Sequence, residues 1–427
     1  MRMKRLLVIF ALALPLFAGD DLARKIDAYV APYVHENTFS GVIMIGKGND
    51  VVFAKPYGMA NYEFNVPLTI DTRFPIASIT KMFTTAILAR LSEENKLSAN
   101  DVLAKWVPDF PSADKITISH LANHKSGIRD PQELRRIIRA NMTTAEVVDV
   151  LKKTPLASVP GETYSYTTAN YAILAHIIER VTGRTYAEVI RDYVYTPAGM
   201  RDSGELATVA VVPRLTTGYM PNPFGPGMAV CGPEDTSWKT GGGSSYSTAR
   251  DLQRFMRAFY GGKLFKAKPL DMWKTSKLFD KTVSRASGSF PGANASITYF
   301  PDDDVAIAVM SNTYSPIAAS IAGDVAAIYF GKPYKNPEPP KYTKAPFDAR
   351  LAGKWLLEGF PDGFKIVERG GRGIVVWNEI RQGALLPVEG GWFTPLDWGT
   401  ITFKDDFSEG TMTSPWAAGP LKVTRVK

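Results

Sequence analysis

The sequence predicts an α+β fold, an antiparallel sheet flanked by helices, followed by a small all-β barrel. Three observations carry this. Hairpin patterns stand near both ends of roughly the first 330 residues, with helical patterns between them. A proline-rich stretch, "YKNPEPPKYTKAPFDAR", follows and reads as a semi-rigid linker with little that could pack. Beyond it the texture changes to short strands separated by glycine-rich turns.

The elements justify themselves in order. "SGVIMIGKGNDVVFAKPYG" predicts a hairpin that turns at "GKGND". "KMFTTAILARLSEENKL" is apolar on nearly all sides over three turns, as a helix in the middle of a domain would be. "TANYAILAHIIERVTG" and "STARDLQRFMRAFYGG" predict amphipathic helices that stop at glycine. "NASITYFPDDDVAIAVMSN" predicts the second hairpin, with an acidic turn at Asp302–Asp304. After the linker, "FKIVERGGRGIVVW", "WFTPLD", "GTITFKDD" and "LKVTRVK" are strands. Five of the eight tryptophans lie there, Trp355, Trp377, Trp392, Trp398 and Trp416, and are expected to fill a closed barrel or sandwich rather than to form a ligand platform.

The N-terminus begins "MRMKRLLVIFALALPLFAGDD". Basic Arg2, Lys4 and Arg5, a short apolar run and small Ala18 and Gly19 form a secretory signal pattern, too short for an ordinary membrane span. Residues 1–19 are therefore expected to be cleaved, giving a periplasmic or secreted protein without a stable membrane anchor. Removing those three cations lowers the formal net charge from +8 to +5. A surplus that small, with no basic stripe, does not suggest a nucleic-acid partner. The lone Cys231 cannot form an internal disulfide, so stability must come from packed cores. His35, His120, His124 and His176 have no metal-ligand spacing, and no metal or cofactor is expected. No Gly-x-Ser-x-Gly elbow occurs, which removes the α/β-hydrolase triad.

The chemistry centres on "PIASITKMF". Ser78 and Lys81, three apart on a helix, share one face, so the amine can reach the hydroxyl. To act as a base near neutral pH the lysine must lose roughly three pKa units through burial. The spacing alone is weak: Ser112 and Lys115 match it too, but in a loop that holds nothing together.

Context separates the two. Ser78-Ile79-Thr80-Lys81 resembles the Ser-x-x-Lys motif of the serine β-lactamase and penicillin-binding-protein superfamily, in particular its class C branch. That branch includes β-lactamases, D-amino-acid peptidases and family VIII esterases. "ITISHLANHKSGIRD", "PGETYSYTTANYAILAHIIE", "TPAGMRDS" and "GGGSSYSTARDLQRF" resemble further family segments, in family order. The resemblance implies a β-lactamase-like domain over 20–333, a linker over 334–347 and a lipocalin-like barrel over 348–427. It implies Tyr166 as the proton-exchanging partner of Ser78, with Tyr164 the rival if the register slips. Thr168 stands where the family has asparagine, and Asn170 is close by; both are expected at the substrate. Lys239-Thr240-Gly241 spells the third motif, but a glycine run into a helix is the wrong setting for a strand. Aligned on Pro291-Gly292, that motif falls on Ala286, Ser287 and Gly288. The family's substrate-binding cation is therefore missing at Ala286. The backbone N–H groups of Ser78 and Ser289 are expected to form the oxyanion hole. His124 is expected to be structural.

The expected activity is that of an exported serine hydrolase forming an acyl-enzyme at Ser78 and cleaving small ester, amide or peptide substrates. Two alternatives stand beside it. One is a D-amino-acid peptide or peptidoglycan hydrolase with weak β-lactamase activity. The other is a catalytically silent, penicillin-binding-like binding protein.

Overall fold

A computed structural model describes residues 18–131, 134, 141–206, 210–225, 227–232, 235–266, 273–377 and 381–426. Residues 1–17, most of the expected signal segment, lie outside the described residues. No helix among the described residues is long and apolar enough to cross a membrane.

Helix α1 (Ala18–His35) leads into β1 (Gly41–Lys47) and β2 (Asp50–Tyr57). Helices α2 (Thr80–Glu93), α3 (Ala169–Thr182) and α4 (Ala249–Tyr260) follow. The chain returns through β3 (Ser276–Leu278), β4 (Lys281–Phe290), β5 (Ala293–Phe300) and β6 (Val305–Ser311), then α5 (Ala318–Tyr329). Six strands form one sheet in the order β3-β4-β5-β6-β1-β2. The two expected hairpins meet in its middle, where β1 runs antiparallel to β6 from Gly41 opposite Ser311 to Lys47 opposite Val305.

Strand periodicity then sorts the side chains into two cores. Val42 and Met44 of β1, with Ala306, Ala308 and Met310 of β6, face the core that holds α2, α3 and α4. Ile43, Ile45, Val305, Ile307 and Val309 face α1 and α5 on the other side. A sheet covered on both faces explains why β1 and β6 read as continuous apolar runs rather than alternating ones.

Helix α2 is buried from Thr80 to Ala89 without a break, and again at Leu91. Helix α3 departs from the amphipathic expectation: Ala169 to Ala175, Ile177 and Ile178 are all buried, because it lies against α2 on one side and the short helix Thr144–Lys152 on another. Gly183 closes it in the left-handed conformation, at φ 66°. Helix α4 is amphipathic as expected, with Leu252, Phe255, Met256 and Phe259 buried.

Eight further strands, β7–β14, close a barrel in sequence order. They are Gly353–Leu357, Phe360–Arg369, Arg372–Val376, Gln382–Val388, Gly391–Thr394, Gly399–Phe403, Glu409–Thr413 and Leu421–Arg425. Pairing of Trp355 with Arg425 joins the last strand to the first. Trp355 is fully buried, and its indole N–H donates to the Leu351 carbonyl at 3.0 Å. Trp377, Trp392 and Trp416 pack around the same core. Trp398 does not: it leaves the barrel and meets Tyr33 of α1 edge-on at 4.5 Å.

The proline-rich stretch also packs more than its composition suggests. Tyr334 meets Tyr29 at 6.2 Å, Tyr342 meets Phe393 at 6.4 Å, and the Tyr342 hydroxyl donates to Glu36. Its aromatic residues, not its prolines, tie the barrel to α1.

Replacing Trp355 with alanine is expected to cost about 3–5 kcal/mol, measured by urea denaturation followed by far-UV circular dichroism. Trp355→Phe keeps most of the packing but leaves the Leu351 carbonyl without its donor, and should cost about 1–3 kcal/mol.

Candidate active site

A turn of 3₁₀ helix, Ala77–Ile79, precedes α2 and carries Ser78. Ala77 adopts φ 45°, a left-handed conformation that costs a residue with a Cβ roughly 1–2 kcal/mol. Ser78 caps nothing with its side chain. Its hydroxyl oxygen instead receives the Tyr166 hydroxyl at 2.7 Å and lies 3.1 Å from Lys81 Nζ. Helical spacing brings Lys81 to the serine, as the sequence implies; Tyr166 arrives from the segment just before α3.

Lys81 is 1% exposed on the first turn of α2. Its ammonium group donates to the Gly242 carbonyl at 2.6 Å and lies 4.9 Å from the centre of the Tyr166 ring. Burial lowers its pKa to about 7; Asp130 opposes that shift and Lys239 adds to it. The glycine run that leads into α4 thus has a role the sequence reading did not assign: it brings a backbone acceptor to the lysine. Side chains would not fit there, since a Cβ on Gly242 would come within 2.9 Å of the Thr168 methyl. Lys239, Thr240 and Gly241 belong to a 3₁₀ turn and the loop after it, not to the sheet.

Tyr166 is 53% exposed and forms one wall of the cleft. Desolvation pushes its phenol up to about 12, opposed by the hydrogen bond to Ser78. His124 stacks on it at 4.4 Å, with the rings tilted by 34°. The Thr167 N–H donates to His124 Nδ1 at 3.3 Å, which makes that nitrogen an acceptor. Burial first, then Lys81, lowers the histidine to about 4, so it is neutral at pH 7. His124 holds φ 57° in a tight turn, and its part is to support the tyrosine. Tyr164 also lines the cleft, 6.0 Å from His124, but Tyr166 is the one that reaches Ser78.

Strand β4 forms the opposite wall. Arg285, Ser287 and Ser289 are exposed along a cleft of about 590 Å³, and the buried Ala286 and Gly288 also line it. Gly288 has no room for a side chain: a Cβ would lie 2.2 Å from the Ile76 carbonyl oxygen and 2.6 Å from Ser78 N. That close approach brings the strand beside Ser289 up to the Ser78 backbone. Strand β3 pairs with β4 only as far as Val283, so no described strand pairs with the outer edge beyond it.

The expected substrate contacts of Thr168 and Asn170 need correcting. Thr168 stands at the N-cap position of α3 without a side-chain capping bond, its methyl toward the glycine loop; Asn170 is fully buried and accepts from the Ser126 hydroxyl at 2.6 Å. Neither lines the cleft, because α3 starts at Ala169 and turns both side chains behind its wall. Ala286 does line the cleft, but at 5% exposure it brings a small apolar side chain and no cation. The sequence reading missed Arg285, one residue earlier, along with Trp273 and Asn123, which also line the cleft. The β-strand alternation that places Arg285 on the open face was visible in "SRASGSF". Ser112, of the competing Ser-x-x-Lys match, sits in a turn at φ 55° with Lys115 exposed nearby.

Residues 26–329 match the Beta-lactamase family. The chain belongs to it. The sequence is 27% identical over 294 residues to a putative penicillin-binding protein, PbpX, of Bacillus subtilis (strain 168), covering 66% of this chain and 73% of that one. It is 32% identical over 184 residues to a D-aminopeptidase of Brucella anthropi, covering 42% of this chain and 35% of that one. Among solved structures, a D-amino acid amidase from Ochrobactrum anthropi SV3 superposes with a TM-score of 0.65 at 22% identity, over 73% of this chain and 99% of that one. An octameric penicillin-binding protein homologue from Pyrococcus abyssi superposes with a TM-score of 0.63 at 20% identity, over 94% of this chain and 99% of that one. These low-identity superpositions establish the fold alone. The family membership makes the protein a serine hydrolase of the β-lactamase and penicillin-binding-protein type.

Replacing Gly288 with alanine forces β4 away from Ser78. Steady-state kinetics should then give a kcat/KM lower by about 10²–10³, the loss typical of a displaced oxyanion donor, with the barrel still folded by circular dichroism.

Proposed function

We propose that this protein forms an acyl-enzyme at Ser78 and hydrolyses small esters or amides. The observation that carries the reading is the single oxygen, Ser78 Oγ, within hydrogen-bond reach of both Lys81 Nζ and the Tyr166 hydroxyl. Neutral Lys81 has two N–H groups and one lone pair. With one N–H on the Gly242 carbonyl, its lone pair accepts the Ser78 proton, while Tyr166 donates to the same oxygen.

The steps follow from that arrangement. Ser78 Oγ attacks the substrate carbonyl carbon and its proton passes to Lys81. The oxyanion is held by the backbone N–H groups of Ser78 and Ser289. The carbon–leaving-group bond breaks as Tyr166 gives its proton to the departing oxygen or nitrogen, and Lys81 returns a proton to Tyr166. Water then attacks the acyl carbon, its proton passing to Lys81; the bond from that carbon to Ser78 Oγ breaks, the proton goes on to Oγ, and the acid is released. A phenol held near 12 stays protonated and ready to donate, and a lysine near 7 is neutral in about half the molecules at neutral pH. Such tuning is costly in stability and suits a working site better than a silent binding scaffold.

Amides and esters of D-amino acids are the first substrates to try. Among the similar proteins are a D-aminopeptidase and a teichoic acid D-alanine hydrolase of Staphylococcus aureus. Export is part of the proposal, resting on the basic start and short apolar run of the N-terminal sequence.

Fluorophosphonate labelling followed by peptide mapping should place the label on Ser78, and Ser78→Ala should abolish turnover of a p-nitrophenyl ester. Tyr166→Phe should lower kcat by about 10²–10⁴. An unlabelled wild type without turnover would favour the silent binding protein instead.

Lys81 gives a pH test with two readouts. kcat/KM should rise with pH through about 7 as the lysine becomes neutral. Between there and about 10.4, the unfolded chain holds this proton and the folded chain does not, so stability also rises with pH. At neutral pH the burden on folding is about 4 kcal/mol. Lys81→Met should therefore be inactive yet more stable than wild type at pH 7, with the gap narrowing toward pH 10, measured by urea denaturation.

A further inference from the structure

We propose that Arg285 selects substrates that carry a carboxylate, so that the natural esters or amides of this hydrolase are anionic; this rests on the acyl-enzyme reading of Ser78. The alternation of β4 puts the guanidinium on the same exposed face as Ser287 and Ser289, all three lining the cleft that holds Ser78. Arg285 makes no ion pair with any described carboxylate, although carboxylates pair with Arg73, Arg214 and Arg257 elsewhere on the molecule. None of the described residues lining the cleft is aspartate or glutamate, and among them Arg285 and Lys81 are the two cationic side chains.

A cleft with this composition concentrates anions. Lys81 is engaged with Ser78 and Gly242, so it is Arg285 that is left to meet a substrate charge. A guanidinium offers two parallel N–H donors that match a carboxylate, and the Ser287 hydroxyl beside it adds a third. Two-residue steps along a strand are about 6.6 Å, which puts the Arg285 backbone about 13 Å from that of Ser289. The long side chain spans part of that distance, so the carboxylate would lie several bonds from the carbonyl under attack. Ala286, where sequence alignment places a cation, brings none to the cleft; the neighbouring Arg285, which lines the same cleft, does.

The test uses matched ester pairs on the full-length mature protein. For an acyl-side charge the pairs are mono-p-nitrophenyl succinate and glutarate against their methyl esters; for a leaving-group charge, 4-acetoxybenzoate against its methyl ester. In at least one series the anionic member should be preferred by about tenfold or more in kcat/KM, mainly through KM, and the preference should fall as salt is raised. Arg285→Gln should remove the preference, chiefly by raising KM for the anionic member toward that of its neutral partner, and Arg285→Lys should keep part of it. Equal turnover of anionic and neutral members in every series, in wild type and Arg285→Gln alike, would overturn the proposal while leaving the nucleophile intact. Loss of all ester turnover together with absence of the Ser78 fluorophosphonate label would overturn the underlying reading, and this proposal with it.

Discussion

The buried amine of Lys81 is the constraint on which the rest of the site depends. At 1% exposure an ammonium group is costly to keep, and its pKa falls to about 7. The elements around it answer that cost. The glycine loop offers the Gly242 carbonyl, the Tyr166 and Tyr171 rings present their faces at 4.9 Å and 5.4 Å, and the Ser78 hydroxyl oxygen lies 3.1 Å from the amine. Helix α2 must be apolar on nearly all sides to create that burial, which is why it sits between the sheet and α3. Local desolvation also raises Tyr166, and burial together with the Lys81 charge keeps His124 neutral.

Close backbone approach is the second constraint, and it explains the small and strained residues around Ser78. Ala77 is left-handed, and Gly288 touches the turn behind it so closely that no Cβ fits. Strain at Ala77 persists because β4 and α2 hold the turn from both sides. Across the cleft, Asp130 accepts from the Ala169 N–H at 2.9 Å at the start of α3, just after Tyr166, and so fixes the segment that carries the tyrosine. Asp130 also opposes the fall in the Lys81 pKa, so its charge moderates the tuning that burial imposes.

The barrel meets the hydrolase domain through aromatic packing rather than through the site. Trp398 against Tyr33 and Tyr342 against Phe393 form a continuous apolar seam with α1 and α5. A second cavity, about 610 Å³, opens between the linker, the barrel and the hairpin Tyr219–Val230. Its described lining lacks a serine, cysteine or lysine, so its size does not make it a rival to the Ser78 cleft. Nearer the site, the Arg381 guanidinium stands 5.5 Å from the Tyr314 ring, two residues before Pro316 of the cleft wall.

The sequence by itself determined the fold class, the two hairpins, the buried α2, the barrel strands and the approach of Lys81 to Ser78. These are legible because periodicity, turn chemistry and i,i+3 spacing are local, and because the motifs stand in a family order. Tertiary structure alone decided which neighbours complete the site. Nothing local tells that a glycine carbonyl at 242 meets a lysine at 81, or that His124 stacks on Tyr166. Thr168 and Asn170 looked equally available in the sequence, yet the start of α3 turns both away from the cleft. Conversely, Ala286 suggested a site without a cation, because alignment counts positions and not faces. Only the sheet, by fixing which side of β4 is open, exposes the Arg285 side chain in the cleft and leaves Ala286 buried in its wall.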